Sequence, residues 1–174
     1  LVVGPEEPLV RGIYDYFQSH FPHLPVIGPS QVGAQLEGSK AFAKEFMLEM
    51  GIPTAAYREF TVATLQEGLD YILTQNPPIV LKADGLAAGK GVVVCSDAAQ
   101  AQLAVRDMLQ AKRFGDAGGT VVIERRIRGR EVSMLAITDG KRLEVLATAE
   151  DHKTIFDGDK GPNTGGMGTV CPGW

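Results

Sequence analysis

Residues 79–94 place the strongest constraint on the fold. The apolar run Ile79-Val80-Leu81 passes through Lys82-Ala83-Asp84-Gly85-Leu86-Ala87-Ala88-Gly89-Lys90-Gly91 into Val92-Val93-Val94. An apolar run, a glycine-rich loop and a β-branched run in succession predict a β-hairpin with strands at 79–83 and 92–95. Small residues let backbone N–H groups approach an anion closely, and Lys82 and Lys90 add charge without demanding bidentate geometry, so the natural ligand is a polyphosphate. The Walker pattern does not fit. The spacing is one residue short, Gly91 follows Lys90 where Ser or Thr is needed, and a strand comes next instead of a helix. Taken alone, the stretch is equally well a glycine-rich turn with an exposed Lys90.

The remaining sequence limits what such a hairpin belongs to. With 174 residues, 44% hydrophobic and 22% charged, and a net charge of −4, the chain has the apolar content for a core and no basic excess that would call for nucleic acid. No long uncharged apolar run, signal-peptide pattern or lipidation motif is visible, which gives no support to a membrane role and makes the cytoplasm the default. Cys95 and Cys171 are too few for a disulfide framework or a Cys-ligated metal and are expected to stay reduced. The chain starts at Leu1, as though inside a strand, and stops at Trp174 just after a loop, so it is expected to be an internal fragment.

Periodicity and punctuation predict the other elements. Residues 1–3 form a strand, Pro8 to His20 a helix and Val26-Ile27 a short strand, a βαβ-like unit. Ser39 to Met50 read as a helix with Ser39 as N-cap, with Phe42, Phe46, Met47 and Met50 on one face and Gly51-Ile52-Pro53 ending it. A second rhythm follows: a helix from Thr64 to Gln75 with a Thr64/Glu67 capping box, the hairpin, a helix over 97–112 and a strand over 120–124. Asp139-Gly140 then joins the apolar runs Val132–Thr138 and Leu143–Thr148 as a hairpin.

Several single residues acquire candidate roles from this layout. Lys40 sits in the first turn of its helix, where a cation opposes the macrodipole; it either faces solvent or meets an anionic partner such as a phosphate. Lys82 interrupts an apolar strand and must reach water or a buried anion. Glu124 ends one strand and Glu131 opens the next across the basic turn Arg125-Arg126-Ile127-Arg128-Gly129-Arg130. That turn either presents hinge backbone to a purine and a carboxylate to ribose, or is a solvated linker. The stretch Gly161-Pro162-Asn163-Thr164-Gly165-Gly166-Met167-Gly168, after Asp151-His152-Lys153, offers donors to an anionic or polyhydroxylated substrate, or is a flexible loop.

Together these blocks resemble glycinamide ribonucleotide synthetase, the phosphoribosylamine-glycine ligase family of the ATP-grasp superfamily. The resemblance rests on Val3-Gly4-Pro5-Glu6, Glu37-Gly38-Ser39-Lys40, Gly51-Ile52-Pro53-Thr54-Ala55, the Lys82–Gly91 loop, Phe114-Gly115-Asp116-Ala117-Gly118, Asp151-His152-Lys153 and Gly161–Gly168, in family order along the chain. It implies an α/β to α+β chain: an ATP-grasp fold preceded by the end of a Rossmann-like N-terminal domain, truncated at both ends. The implied division is residues 1–30 for that N-terminal domain, 31–53 for a connecting helix segment, 54–124 for the ATP-grasp lid and 125–174 for the start of the larger subdomain.

The resemblance further implies ligation of glycine to 5-phosphoribosylamine through a glycyl phosphate, giving glycinamide ribonucleotide, ADP and phosphate. By analogy, Lys40 and Lys82 are the catalytic, phosphate-contacting lysines, and Gly85, Gly89, Lys90 and Gly91 form a lid over the ATP phosphates. Glu124 and the backbone of Arg125 to Ile127 face adenine, and Glu131 accepts from ribose. Glu6, Asp151, Lys153, Asn163, Thr164, Gly165 and Gly166 take the glycine and phosphoribosylamine side. Magnesium or manganese accompanies ATP; no metal ligand is expected within this chain, its carboxylate ligands being expected C-terminal to Trp174, so this stretch alone is expected to have little ligase activity. Fusion to other purine-pathway domains is compatible with the family. Arg125, Arg126 and Arg130 depart from its more acidic hinge. Another ATP-grasp carboxylate-amine ligase, a non-catalytic nucleotide-binding module and, last, a dinucleotide enzyme are the competing readings; the Gly161–Gly168 block disfavours the first and the missing G-x-G-x-x-G the last.

Overall fold

The computed structural model describes residues 1–87, 90–158 and 160–173, with Asn163 described by its backbone alone. The chain divides into two compact units, one made of residues 1–87 and 91–126 and the other of Lys90 with the residues from Ile127 onward.

The first unit opens with helices. Val2 and Ile27 form a parallel bridge, as the sequence predicts, flanking α1 (Glu6–Val10) and α2 (Ile13–His20). The single helix expected over Pro8–His20 is broken because Gly12 takes a left-handed conformation, φ +87°, that a side chain would resist. α3 (Gln31–Gly38), which precedes the helix read from Ser39 within the expected connecting helix segment, is capped by the Ser30 hydroxyl, which accepts from the Gly33 N–H at 3.3 Å. α4 (Lys40–Glu49) has Ser39 as its N-cap, accepting from the Phe42 N–H at 3.0 Å, as expected.

A four-stranded antiparallel sheet follows. Its strands are β1 (Tyr57–Thr61), β2 (Ile79–Ala83), β3 (Val92–Cys95) and β4 (Thr120–Arg125), ordered β1-β4-β2-β3. β2 and β3 pair as the predicted hairpin, with Leu81 opposite Val93 and Lys82 opposite Val92. Between strands run α5 (Leu65–Leu73) and α6 (Ala98–Leu109), the latter capped by Asp97 accepting from the Gln100 N–H at 2.8 Å. The expected Thr64/Glu67 capping box is replaced by one between Thr61 and Thr64, whose hydroxyl accepts from the Thr61 N–H at 2.9 Å, so a 3-10 turn precedes α5.

Side chains alternate across the strands, which divides the sheet into two unlike faces. One face buries Phe60, Ile79, Leu81, Cys95, Val121 and Ile123 against Leu65, Leu69 and Ile72 of α5 and Val105, Met108 and Leu109 of α6, forming the core. The other carries Tyr57, Glu59, Lys82 and Glu124. Val80 and Val122 are buried on this second face beside the charged groups, so it is mixed where the buried part of the first is apolar.

The second unit contains β5 (Ala136–Thr138) and β6 (Leu143–Val145), then β7 (Glu150–Phe156) and β8 (Lys160–Val170), two antiparallel pairs. The expected Val132–Thr138 and Leu143–Thr148 hairpin exists: β5 and β6 pair over three residues each, an antiparallel bridge between Ser133 and Ala149 continues the pairing, and Asp139 Oδ1 closes the turn by accepting from the N–H groups of Lys141 and Arg142 at 2.9 and 2.7 Å. The 161–168 stretch is not a free loop. It belongs to β8, with Gly168 paired to His152 and Asn163 to Thr154, and the register shifts between these pairs.

Candidate functional site

The charged sheet face is organised around Glu124. Register places Glu124 beside Val80 of β2 and Tyr57 of β1, with Lys82 two residues along β2 on the same face. Lys82 Nζ lies 2.5 Å from Glu124 Oε1, and Lys44 Nζ of α4 lies 2.6 Å from Oε2. Each ammonium thus faces one oxygen of the same carboxylate. Lys44 also donates to Thr54 Oγ1 at 2.8 Å and the Ala55 carbonyl at 3.3 Å, and its ammonium stands 5.3 Å from the centre of the Tyr57 ring. Lys44 and Glu124 are each 7% exposed, whereas the Lys82 side chain keeps 30% of its surface open. Lys82 is therefore the member of the triad that an incoming ligand can reach. Burial works to raise the Glu124 carboxyl, but its contacts with Lys44 and Lys82 outweigh that and hold it below the ordinary carboxylate range.

A second cluster joins α4 to the start of the glycine loop. The Lys40 ammonium donates to the carbonyls of Asp84 and Gly85 at 3.3 and 3.1 Å. The Asp84 carboxylate in turn accepts from the Ser39 hydroxyl at 3.0 and 3.2 Å and from the Ala41 N–H at 2.7 Å. The Lys40 ammonium therefore meets two backbone carbonyls of the loop, while the Asp84 carboxylate caps the first turn of α4. Burial pushes the Lys40 amine below its usual range and the charge on Lys82 adds to this, while Asp84 and Glu37 oppose it. Burial also raises Glu59, with Asp84 and Glu45 adding to it, so acidic groups border the lysines.

Packing alone accounts for two of the loop glycines. A Cβ on Gly85 would stand 2.9 Å from the Ala117 backbone, and one on Gly91 would stand 2.8 Å from the Ala87 Cβ. Lys90 is exposed. Gly89 lies outside the described residues. Arg125 is exposed at the end of β4, where its N–H donates to the Ala56 carbonyl at 3.1 Å, and Ile127 is exposed. Glu6 is exposed at the start of α1, away from the sheet in the helical part of the unit.

The remaining candidates fall in the second unit. Lys153 Nζ donates to Glu131 Oε1 at 2.6 Å, and Glu131 holds the Lys153 amine above its ordinary value. Thr164 Oγ1 donates to the Lys153 carbonyl at 2.8 Å and accepts from the Gly166 N–H at 3.1 Å. Asp151, Gly165 and Gly166 line a cavity of about 540 Å³ together with Ser133, Leu135 and Met167. The side chain of Asn163 lies outside the described residues. Arg130 grips Glu150 through two hydrogen bonds, 2.9 and 2.8 Å, which pull the Glu150 carboxyl below its usual range. Among the described residues, no group of three His, Cys, Asp or Glu side chains is arranged to hold a metal ion, and no helix is long and apolar enough to cross a membrane.

Sequence reasoning missed Lys44 and Asp84. Lys44 had a usable signal: it lies one helical turn after Lys40, so both project from one face of α4. Asp84 had none, because its role comes from a tertiary approach to α4.

Residues 38–173 match the family model described as phosphoribosylglycinamide synthetase, ATP-grasp (A) domain, and residues 1–37 match the N domain of the same synthetase. The crystal structure of phosphoribosylamine-glycine ligase from Thermotoga maritima superposes with a TM-score of 0.80 at 35% identity, over 97% of this chain and 40% of that one. The fold is that of an ATP-grasp chain. Phosphoribosylamine-glycine ligases of Pseudomonas aeruginosa and Allochromatium vinosum are 52% and 54% identical over 171 residues, 98% of this chain and 39% of each relative. The chain belongs to the phosphoribosylglycinamide synthetase family, as its motif blocks led us to expect, and it spans about two fifths of the length of these curated relatives.

Proposed function

We propose that the protein carrying this sequence is an ATP-dependent ligase that joins glycine to 5-phosphoribosylamine. The supporting observation is the family match along the whole chain, combined with a sheet face on which an accessible lysine is aimed by a buried carboxylate. Phosphoryl transfer demands positioning and charge neutralisation more than a protein nucleophile. Lys82 and Lys40 meet the polyphosphate, while Gly85, Gly89, Lys90 and Gly91 close over it and keep water from the reactive intermediate. The face around Glu124, with the backbone of Arg125 and Ile127, takes adenine, and Glu131 accepts from ribose.

The γ-phosphoryl group passes to a carboxylate oxygen of glycine and ADP leaves. The phosphoribosylamine nitrogen then attacks the acyl carbon, the C–O bond to phosphate breaks, and the nitrogen loses a proton to leave the amide of glycinamide ribonucleotide. Glu6, Asp151, Lys153, Asn163, Thr164, Gly165 and Gly166 orient these two substrates. A magnesium ion bound with the nucleotide would supply charge neutralisation for the transferring group; no residue of this chain is assigned to hold it. ADP release by the full-length protein is expected to require glycine and phosphoribosylamine together. ADP formed equally without phosphoribosylamine would count against a ligase, and nucleotide binding with no turnover would favour the non-catalytic module.

A further inference from the structure

We infer that Lys44 is a positioning residue that sets the charge Lys82 presents to a nucleotide, an inference that rests on the nucleotide reading above. Lys82 and Glu124 alone would form a neutral pair, and a carboxylate 2.5 Å away would compete with any phosphate for that ammonium. Lys44 changes this balance. Held by Thr54 Oγ1 and the Ala55 carbonyl, its ammonium occupies the second oxygen of Glu124, so the three groups carry a net single positive charge. Burial sorts the parts: Lys44 and Glu124 are enclosed, and the surplus charge resides on the one partly open group, Lys82. Lys44 itself has too little exposed surface to meet a ligand, so its effect is exerted through Glu124.

The test is titration of Mg-ATP against the full-length protein as wild type, Lys44→Met and Lys44→Arg. Lys44→Met leaves Glu124 free to neutralise Lys82, and affinity is expected to fall about tenfold, the size of one charge interaction in a partly screened site. Lys44→Arg keeps a cation on the second oxygen of Glu124, and its affinity is expected within about threefold of wild type. An unchanged affinity in Lys44→Met, or a Lys44→Arg variant that binds no better than Lys44→Met, overturns the inference. Should Lys44→Met fail to fold, Lys44→Gln, which keeps a polar head without the charge, takes its place; a tenfold loss supports the inference and wild-type affinity refutes it. A wild type that binds no nucleotide would instead overturn the functional reading on which the inference stands.

Discussion

Glu124 is a buried carboxylate held between the ammonium groups of Lys44 and Lys82. Two ammonium groups offset its desolvation, and removing one member of such a cluster costs more than removing the set, because a charge is left buried without a partner. Glu124→Gln is therefore expected to destabilise the protein by roughly 3–5 kcal/mol at neutral pH, measured by denaturant unfolding. The folded-state carboxyl is held below its unfolded value, so this stabilisation is complete above about pH 4.3 and disappears as pH falls through the lower folded-state value, where wild type and variant should converge. A constant difference down to that acid range would contradict the ion-pair explanation. That Lys82 must reach either water or a buried anion was legible from its strand. That the anion in this structure is Glu124 was not, because pairing across two strands depends on register.

At the scale of elements, local signals with their own chemistry were read well. Ser39 caps α4, and the β-branched runs around the glycine loop form β2 and β3. Elements defined by tertiary pairing were missed. β1 offers a single buried side chain, Phe60, among Tyr57, Arg58, Glu59 and Thr61, so alternation is hidden until β4 lies beside it. β8 is rich in glycine and reads as a loop until β7 supplies its partner. The loop glycines illustrate the same point, since phosphate approach is one reason for glycine and packing is another. Gly85→Ala should destabilise by about 1–3 kcal/mol in chemical denaturation, because its Cβ would meet the Ala117 backbone and not a side chain able to move aside. A variant as stable as wild type would show that the loop yields easily at Gly85.

Across the whole molecule, the hydrophobic core described here belongs to the first unit, where one face of a four-stranded sheet is sealed by α5 and α6. That sealing leaves the opposite face to carry Lys82 and Glu124, with Lys40 and Lys44 brought in from α4. The scaffold and the charged site are consequences of one strand alternation. Family membership was legible from motif order along the chain, whereas the charge arrangement required the fold. If Lys82 grips the phosphates of a nucleoside triphosphate on this sheet face, as proposed above, isothermal titration of Mg-ATP into the full-length protein, with and without Lys82→Ala, reads that contact out. Loss of a charge-assisted contact is expected to weaken binding by about 1.5–3 kcal/mol; an affinity unchanged by Lys82→Ala would contradict it.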